Sequence, residues 1–292
     1  MVTPERQRLM TMLAATWLLI AGCDTGSGPA SAPTASTPAE TAAPSAAAPT
    51  ATAGTTEPER EIVAETLAYA EVDEQLVHGH FAFPADMVDP LPGIIVIHER
   101  WGLDDGTRAL AERLAGQGYV VLAVDLFGGK ASRDLSEARN YMVQVVENPD
   151  LAEQNIRQAY EFLASSAGAP RIGALGWSFG GNWALNTAMM YPDDLAAAVI
   201  YYGQVTDNAE RLAPVNTPIL GIFGENDRGV TVDAVRGFED VLEELEKNYR
   251  IEVYSGVGHA FADQSGNNYN PAVAEQAWAE VIAFLEEHLA AE

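Results

Sequence analysis

Lysine occurs only twice in the 292 residues, at Lys130 and Lys247, and cysteine once, at Cys23. A lone cysteine excludes an intrachain disulfide, so no covalent cross-link within the chain helps to hold the fold. Cations of either kind are scarce: 16 Lys and Arg stand against 42 Asp and Glu, a net charge of −26. A surface this negative repels a phosphate backbone, and the sequence offers no basic stripe, no aromatic platform and no zinc-type spacing of Cys and His. Nucleic-acid binding and a structural metal are therefore not expected. Long hydrophobic runs are also missing, since the apolar stretch at residues 9–21 falls short of the ~20 residues that span a bilayer. What the chain does have is 48% hydrophobic composition, enough for one large domain with a buried core plus extensions.

The first extension reads as an export signal. Arg6 and Arg8 precede the apolar run, which ends in Leu19-Ile20-Ala21-Gly22-Cys23. This resembles the bacterial lipoprotein signal, in which a cysteine after small residues becomes the lipid-bearing N-terminus. The resemblance implies a signal peptide over residues 1–22, lipidation at Cys23 and a place in the cell envelope, with the membrane as a partner through that anchor. Residues 23–60 are rich in Ala, Pro and Thr and nearly free of apolar bulk, so they are expected to stay disordered as a tether. The catalytic domain is expected over residues 61–292.

Within that domain the pattern predicts two antiparallel strands, at 66–72 and 75–83. Strands at 93–98, 119–124, 171–175, 196–202, 218–223 and 249–254 follow, with helices at 103–116, 132–146, 149–165, 182–190, 232–247 and 271–290 between and after them. Continuous apolar runs such as Gly93-Ile94-Ile95-Val96-Ile97 suit strands covered on both faces. About eight strands in alternation with helices predict an α/β class, a mostly parallel sheet with helices on both sides. There is no internal repeat.

The chemistry centres on Gly176-Trp177-Ser178-Phe179-Gly180-Gly181, placed between a strand and a helix. That context makes G-x-S-x-G a nucleophile elbow, with Gly176 and Gly180 small because the two backbones meet there. Alone the pattern is weak, since chance supplies it in roughly one chain in ten of this length. Two further strand ends carry its partners, Asp227 in Gly224-Glu225-Asn226-Asp227 and His259 in Gly258-His259-Ala260-Phe261. The order Ser178, Asp227, His259 is that of the α/β-hydrolase fold. A serine hydroxyl needs a base to become a nucleophile, so His259 is expected to take its proton and Asp227 to orient the ring, with Glu225 as the rival acid. Phe179 offers the first oxyanion N–H. His78 and His80 read as exposed strand residues, His288 as a helix-end cation, and His98 as a residue that shapes its loop.

Ile97-His98-Glu99-Arg100-Trp101-Gly102, the elbow, and Gly258-His259-Ala260-Phe261-Ala262 together resemble the dienelactone hydrolase family over residues 93–285. The resemblance implies a second oxyanion N–H at Arg100, and it matches Glu99 to a glutamate that contacts the nucleophile in the resting enzyme. Two departures stand out. The family nucleophile is usually cysteine, and here it is Ser178. The two arginines with which dienelactone-cleaving members hold a substrate carboxylate are replaced by Gly129 and Asp263. The expectation is a serine hydrolase without metal or organic cofactor, acting on small neutral carboxylic esters. A true dienelactone hydrolase and a catalytically idle binding lipoprotein are the rivals. Trp101, Phe127, Phe179, Tyr201, Tyr202 and Phe261, near strand ends, are expected to line an open aromatic cleft, since residues 203–216 are too few for a helical cap.

Overall fold

Five strands carry no exposed residue at all: Gly93–Ile97, Val120–Val124, Ile172–Trp177, Ala197–Tyr201 and Ile219–Gly224. They are β3 to β7 of the computed structural model, which describes residues 60–290. The expected signal peptide, Cys23 and nearly all of the tether lie outside the described residues. With β1 (Ile62–Val72), β2 (Gln75–Pro84) and β8 (Tyr249–Tyr254) they form one eight-stranded sheet in the order β1-β2-β4-β3-β5-β6-β7-β8. β1 and β2 are antiparallel to their neighbours, and every pairing from β4 through β8 is parallel.

Strand alternation divides the core. Ile95, Ile97, Leu122 and Val124 point to one face, Ile94, Val96, Val121 and Ala123 to the other. Helices α1 (Asp105–Gly116) and α7 (Pro271–Leu289) cover the second face with Leu114, Trp278, Val281 and Phe284. The first face is covered by α3 (Pro149–Glu161), α4 (Phe179–Met190) and α6 (Val232–Glu244) through Ile156, Leu185 and Phe238, and Val145 of α2 (Leu135–Glu147) joins them. A single short helix, α5 (Ala209–Leu212), interrupts the segment after β6, so no helical cap rises there.

Element ends shift from the expected ones where side chains cap. The Asp104 and Asp134 carboxylates accept the first free N–H groups of α1 and α2, so the helices start after these residues rather than at 103 and 132. β1 begins at Ile62 rather than Thr66. Its first four residues are largely exposed and are held by backbone pairing with β2, which leaves no apolar alternation to read. No helix among the described residues is long and apolar enough to cross a membrane.

Candidate active site

Ser178 sits at the tight turn between β5 and α4 with φ 52° and ψ −110°, a backbone shape that costs a non-glycine residue on the order of 1–3 kcal/mol. The turn is kept by close packing. A Cβ on Gly176 would meet the carbonyl of Gly180, and a Cβ on Gly180 would meet the carbonyl of Ile97 at the end of β3. Ser178 N–H donates to the Tyr201 carbonyl at 2.8 Å, which ties the elbow to β6. The side chain is left half-exposed above the sheet.

His259 and Asp227 come to it from the loops after β8 and β7. Ser178 Oγ lies 2.8 Å from His259 Nε2, and His259 Nδ1 lies 2.7 Å from Asp227 Oδ2. The other Asp227 oxygen accepts N–H groups from Gly229 at 2.7 Å and Val230 at 3.0 Å. Burial alone would raise the Asp227 pKa, but the hydrogen bond and charge of His259, with those two N–H groups, hold it below the usual carboxylate range. An ionised, fixed Asp227 requires the proton of His259 on Nδ1, which leaves Nε2 free to accept from Ser178. Glu225 is exposed and takes the Gly256 N–H at 3.0 Å, so it braces the loop and does not meet His259.

His98 is fully buried, and burial holds its pKa below the ordinary value. The neutral ring donates from Nδ1 to the Glu99 carbonyl at 2.6 Å and accepts at Nε2 from the Leu126 N–H at 3.1 Å. It thereby locks the loops after β3 and β4 together, the shaping role expected for it. The backbone N–H groups of Arg100 and Phe179 donate to no acceptor within the described residues. Phe179 follows Ser178 as the first residue of α4, and Arg100 lies in the turn after β3, the strand whose end packs on Gly180 through the Ile97 and His98 carbonyls.

Other expectations are corrected. Tyr201, Tyr202, Phe179 and Phe261 are at most 2% exposed, and Phe127 is 6% exposed, so these rings do not form an open cleft. Tyr201 follows Val199 into the core and stacks on Trp177 at 5.4 Å, and Phe261 packs between Tyr202 and Tyr254. Tyr202 backs the His259 ring at 5.2 Å, while Phe179 and Phe127 pack on His98. Phe127 also borders a separate cleft of about 740 Å³ between the β1–β2 hairpin, α2 and α3, which neither Ser178 nor His259 lines. Lys130 lies there, 5.6 Å over Tyr141. His80 is buried rather than exposed, and pairs with Glu112 of α1 at 2.9 Å.

Of the expected aromatics only Trp101 keeps partial exposure, with the guanidinium carbons of Arg100 and Arg133 each 5.3 Å from its ring. Arg133 carries no sequence motif and was not expected at the site. It pairs with Asp104, donates to Ser265 Oγ at 2.7 Å and lies 3.6 Å from Asp263. Asp263, which stands in the place of one recognition arginine, is therefore neutralised from a different loop. At the other position where an arginine was missed, Gly129 has φ 81° and gives its N–H to the Asp125 carboxylate. A side chain there would be strained.

Residues 77–289 match the dienelactone hydrolase family. The chain belongs to that family. It is a hydrolase on the α/β-hydrolase fold. Among its relatives, "Protein usf" of Aquifex pyrophilus is 32% identical over 211 residues, covering 68% of this chain and 89% of the relative. A putative carboxymethylenebutenolidase of Saccharolobus solfataricus is 29% identical over 245 residues, covering 70% and 92%. A crystal structure of a putative dienelactone hydrolase from Klebsiella pneumoniae superposes with a TM-score of 0.69 at 24% identity, covering 78% of this chain and all of the other. A dienelactone hydrolase-like promiscuous phosphotriesterase from metagenomic libraries gives 0.71 at 19%, covering 78% and 99%. At those identities the likeness speaks for the fold. Among the described residues of this family member, no group of three or more His, Cys, Asp or Glu is placed to hold a metal ion.

Proposed function

We propose that the chain is a serine hydrolase that cleaves small neutral carboxylic esters through an acyl-enzyme. The observation that carries this is the continuous line from Ser178 through His259 to Asp227, with links of 2.8 and 2.7 Å. His259 Nε2 takes the Ser178 proton as Oγ attacks the ester carbonyl. The oxyanion that forms is held by the uncommitted N–H groups of Phe179 and Arg100. His259 then gives its proton to the departing alkoxide, and the acyl group stays on Ser178. Water, deprotonated by the same ring, attacks the acyl-enzyme, and the acid leaves as Oγ regains its proton. Asp227 stabilises the imidazolium in both halves. A panel of short neutral esters tests the scheme: the wild type turns them over and Ser178→Ala does not.

A second reading, cleavage of a lactone bearing a carboxylate, is favoured by one observation. Arg100 is half-buried beside the site and makes no salt bridge among the described residues, in a chain with a large acidic excess. Against it stand Gly129 and Asp263 in the places of the two recognition arginines. The ranking follows from a direct comparison of a cis-dienelactone with a short neutral ester.

We also propose that the domain is carried on a lipid at Cys23, on the outer face of a bacterial membrane. The support is the sequence Leu19-Ile20-Ala21-Gly22-Cys23 after Arg6 and Arg8, followed by a Pro- and Ala-rich stretch long enough to hold the enzyme off the bilayer.

A further inference from the structure

The scheme above leaves one buried carboxyl unused. Glu99 is 8% exposed, and its Oε1 has no hydrogen-bond partner. Groups from four elements surround it. Arg100 stands on its own turn, Asp263 and His259 come from the loop after β8, Arg133 from the loop after β4, and Tyr202 from the end of β6. The Tyr202 hydroxyl is itself buried without a hydrogen-bond partner, and after burial the strongest influence against its ionisation is Glu99. Behind Glu99, the neutral His98 holds only its carbonyl. Arg133 is already engaged by Asp104 and Asp263. Burial outweighs the pull of Arg100, and with Asp263 adding to it the Glu99 carboxyl is pushed up to about 7.

Two forms of one side chain thus stand near His259 at neutral pH, and they treat a charged substrate in opposite ways. A neutral carboxyl can donate its proton in a hydrogen bond to a substrate oxygen. An ionised one repels a substrate carboxylate, and unit charges about 6 Å apart at an effective dielectric constant of ~20 alter kcat/KM on the order of 10- to 100-fold. We propose that Glu99 sets the charge selectivity of the site: the neutral carboxyl admits esters that carry a carboxylate, and the carboxylate restricts the site to neutral esters. This rests on the ester-cleaving reading of Ser178. It adds that selectivity belongs to one side chain and changes with its ionisation.

Diethyl succinate and monoethyl succinate make a matched pair, because the free carboxyl of the second stays ionised above about pH 5.5. Their kcat/KM values are measured from pH 5.5 to 8.5 by proton NMR of released ethanol. Any effect of pH on the chemical step common to the two esters acts on both substrates and cancels in the ratio. The ratio of monoester to diester is expected to fall 10- to 100-fold with a midpoint near 7. In Glu99→Gln it stays flat at its low-pH value. Removing a cation moves the midpoint up in Arg100→Gln, and removing an anion moves it down in Asp263→Asn.

A flat wild-type ratio overturns the proposal, as does a fall that survives in Glu99→Gln. Should Glu99→Gln fail to fold, the opposed shifts in the other two variants decide, and no shift in either overturns it. Should neither ester be cleaved, the ester-cleaving reading fails by itself. Selectivity is then read from equilibrium binding of the same two compounds to Ser178→Ala across the same pH range, with the same expected ratio and the same overturning result.

Discussion

Arg133 Nη1 lies 3.6 Å from Asp263 Oδ2, an ion pair that joins the loop after β4 to the loop that carries His259. The same guanidinium reaches Asp104, Ser265 and the Trp101 ring, so three loops meet on one side chain. Arg133 is about half-exposed, so each contact alone is worth at most ~1 kcal/mol to stability. The larger effect is expected in geometry, because loss of the clasp frees the His259 loop. Arg133→Ala should lower kcat about tenfold with little change in melting temperature. Guanidinium ion added at millimolar concentration should restore part of the rate, whereas the same concentration of sodium should not.

The elbow packing predicts a contrast between two glycines. Gly180→Ala drives a methyl group into the Ile97 and His98 carbonyls, backbone atoms that cannot yield as a flexible side chain would. It should destabilise the domain by roughly 3 kcal/mol or more and abolish activity. Gly128 has open space around it but φ 63°, so Gly128→Ala should cost only about 1 kcal/mol. Urea denaturation of the two variants checks the difference.

Glu99 also makes stability depend on pH. Its pKa is raised from 4.5 to about 7 in the folded protein, so between these values the unfolded chain has lost a proton that the folded one keeps. Stability therefore falls as pH rises through this window, by about 3 kcal/mol in all for this one group. Asp227 acts the other way, since its lowered pKa gives stability that is lost as pH falls. Urea unfolding of the wild type and Glu99→Gln at pH 4.5, 6 and 8 separates them. The variant should gain on the wild type steadily across that range, and a constant difference would contradict the assignment.

Much of this was legible in the sequence, for reasons that particular residues make clear. β3 to β7 stood out because strands covered on both faces must be apolar throughout, as Ile94 to Ile97 are. Ser178, Asp227 and His259 stood out because loops at the carboxyl ends of parallel strands converge, so strand order alone brings them to one place. Arg133 was invisible, since a charged loop residue acquires meaning only from partners 29 and 132 positions away. The start of β1 was invisible because backbone pairing leaves no side-chain pattern. Tyr201 was misplaced although a signal existed: alternation from Ala197 and Val199 sends it to the core face.

The proposed anchor predicts a mature protein that begins at Cys23, bears lipid and partitions with membranes. Intact mass and a detergent phase-partition assay check it. Cys23→Ala should release the protein from the membrane fraction. Its kcat/KM in detergent should match the wild type.

The central claim is that Ser178 is an activated nucleophile, and reaction with a fluorophosphonate followed by intact mass and peptide mapping tests it most directly. One adduct on Ser178 is expected in the wild type and none in Ser178→Ala. His259→Ala should slow labelling by several orders of magnitude. Asp227→Asn should slow it by up to ~10⁴-fold, as a wrong tautomer does in the protease template, and Glu225→Gln by little. Labelling on another residue, or at equal rates in the wild type and His259→Ala, would contradict the account.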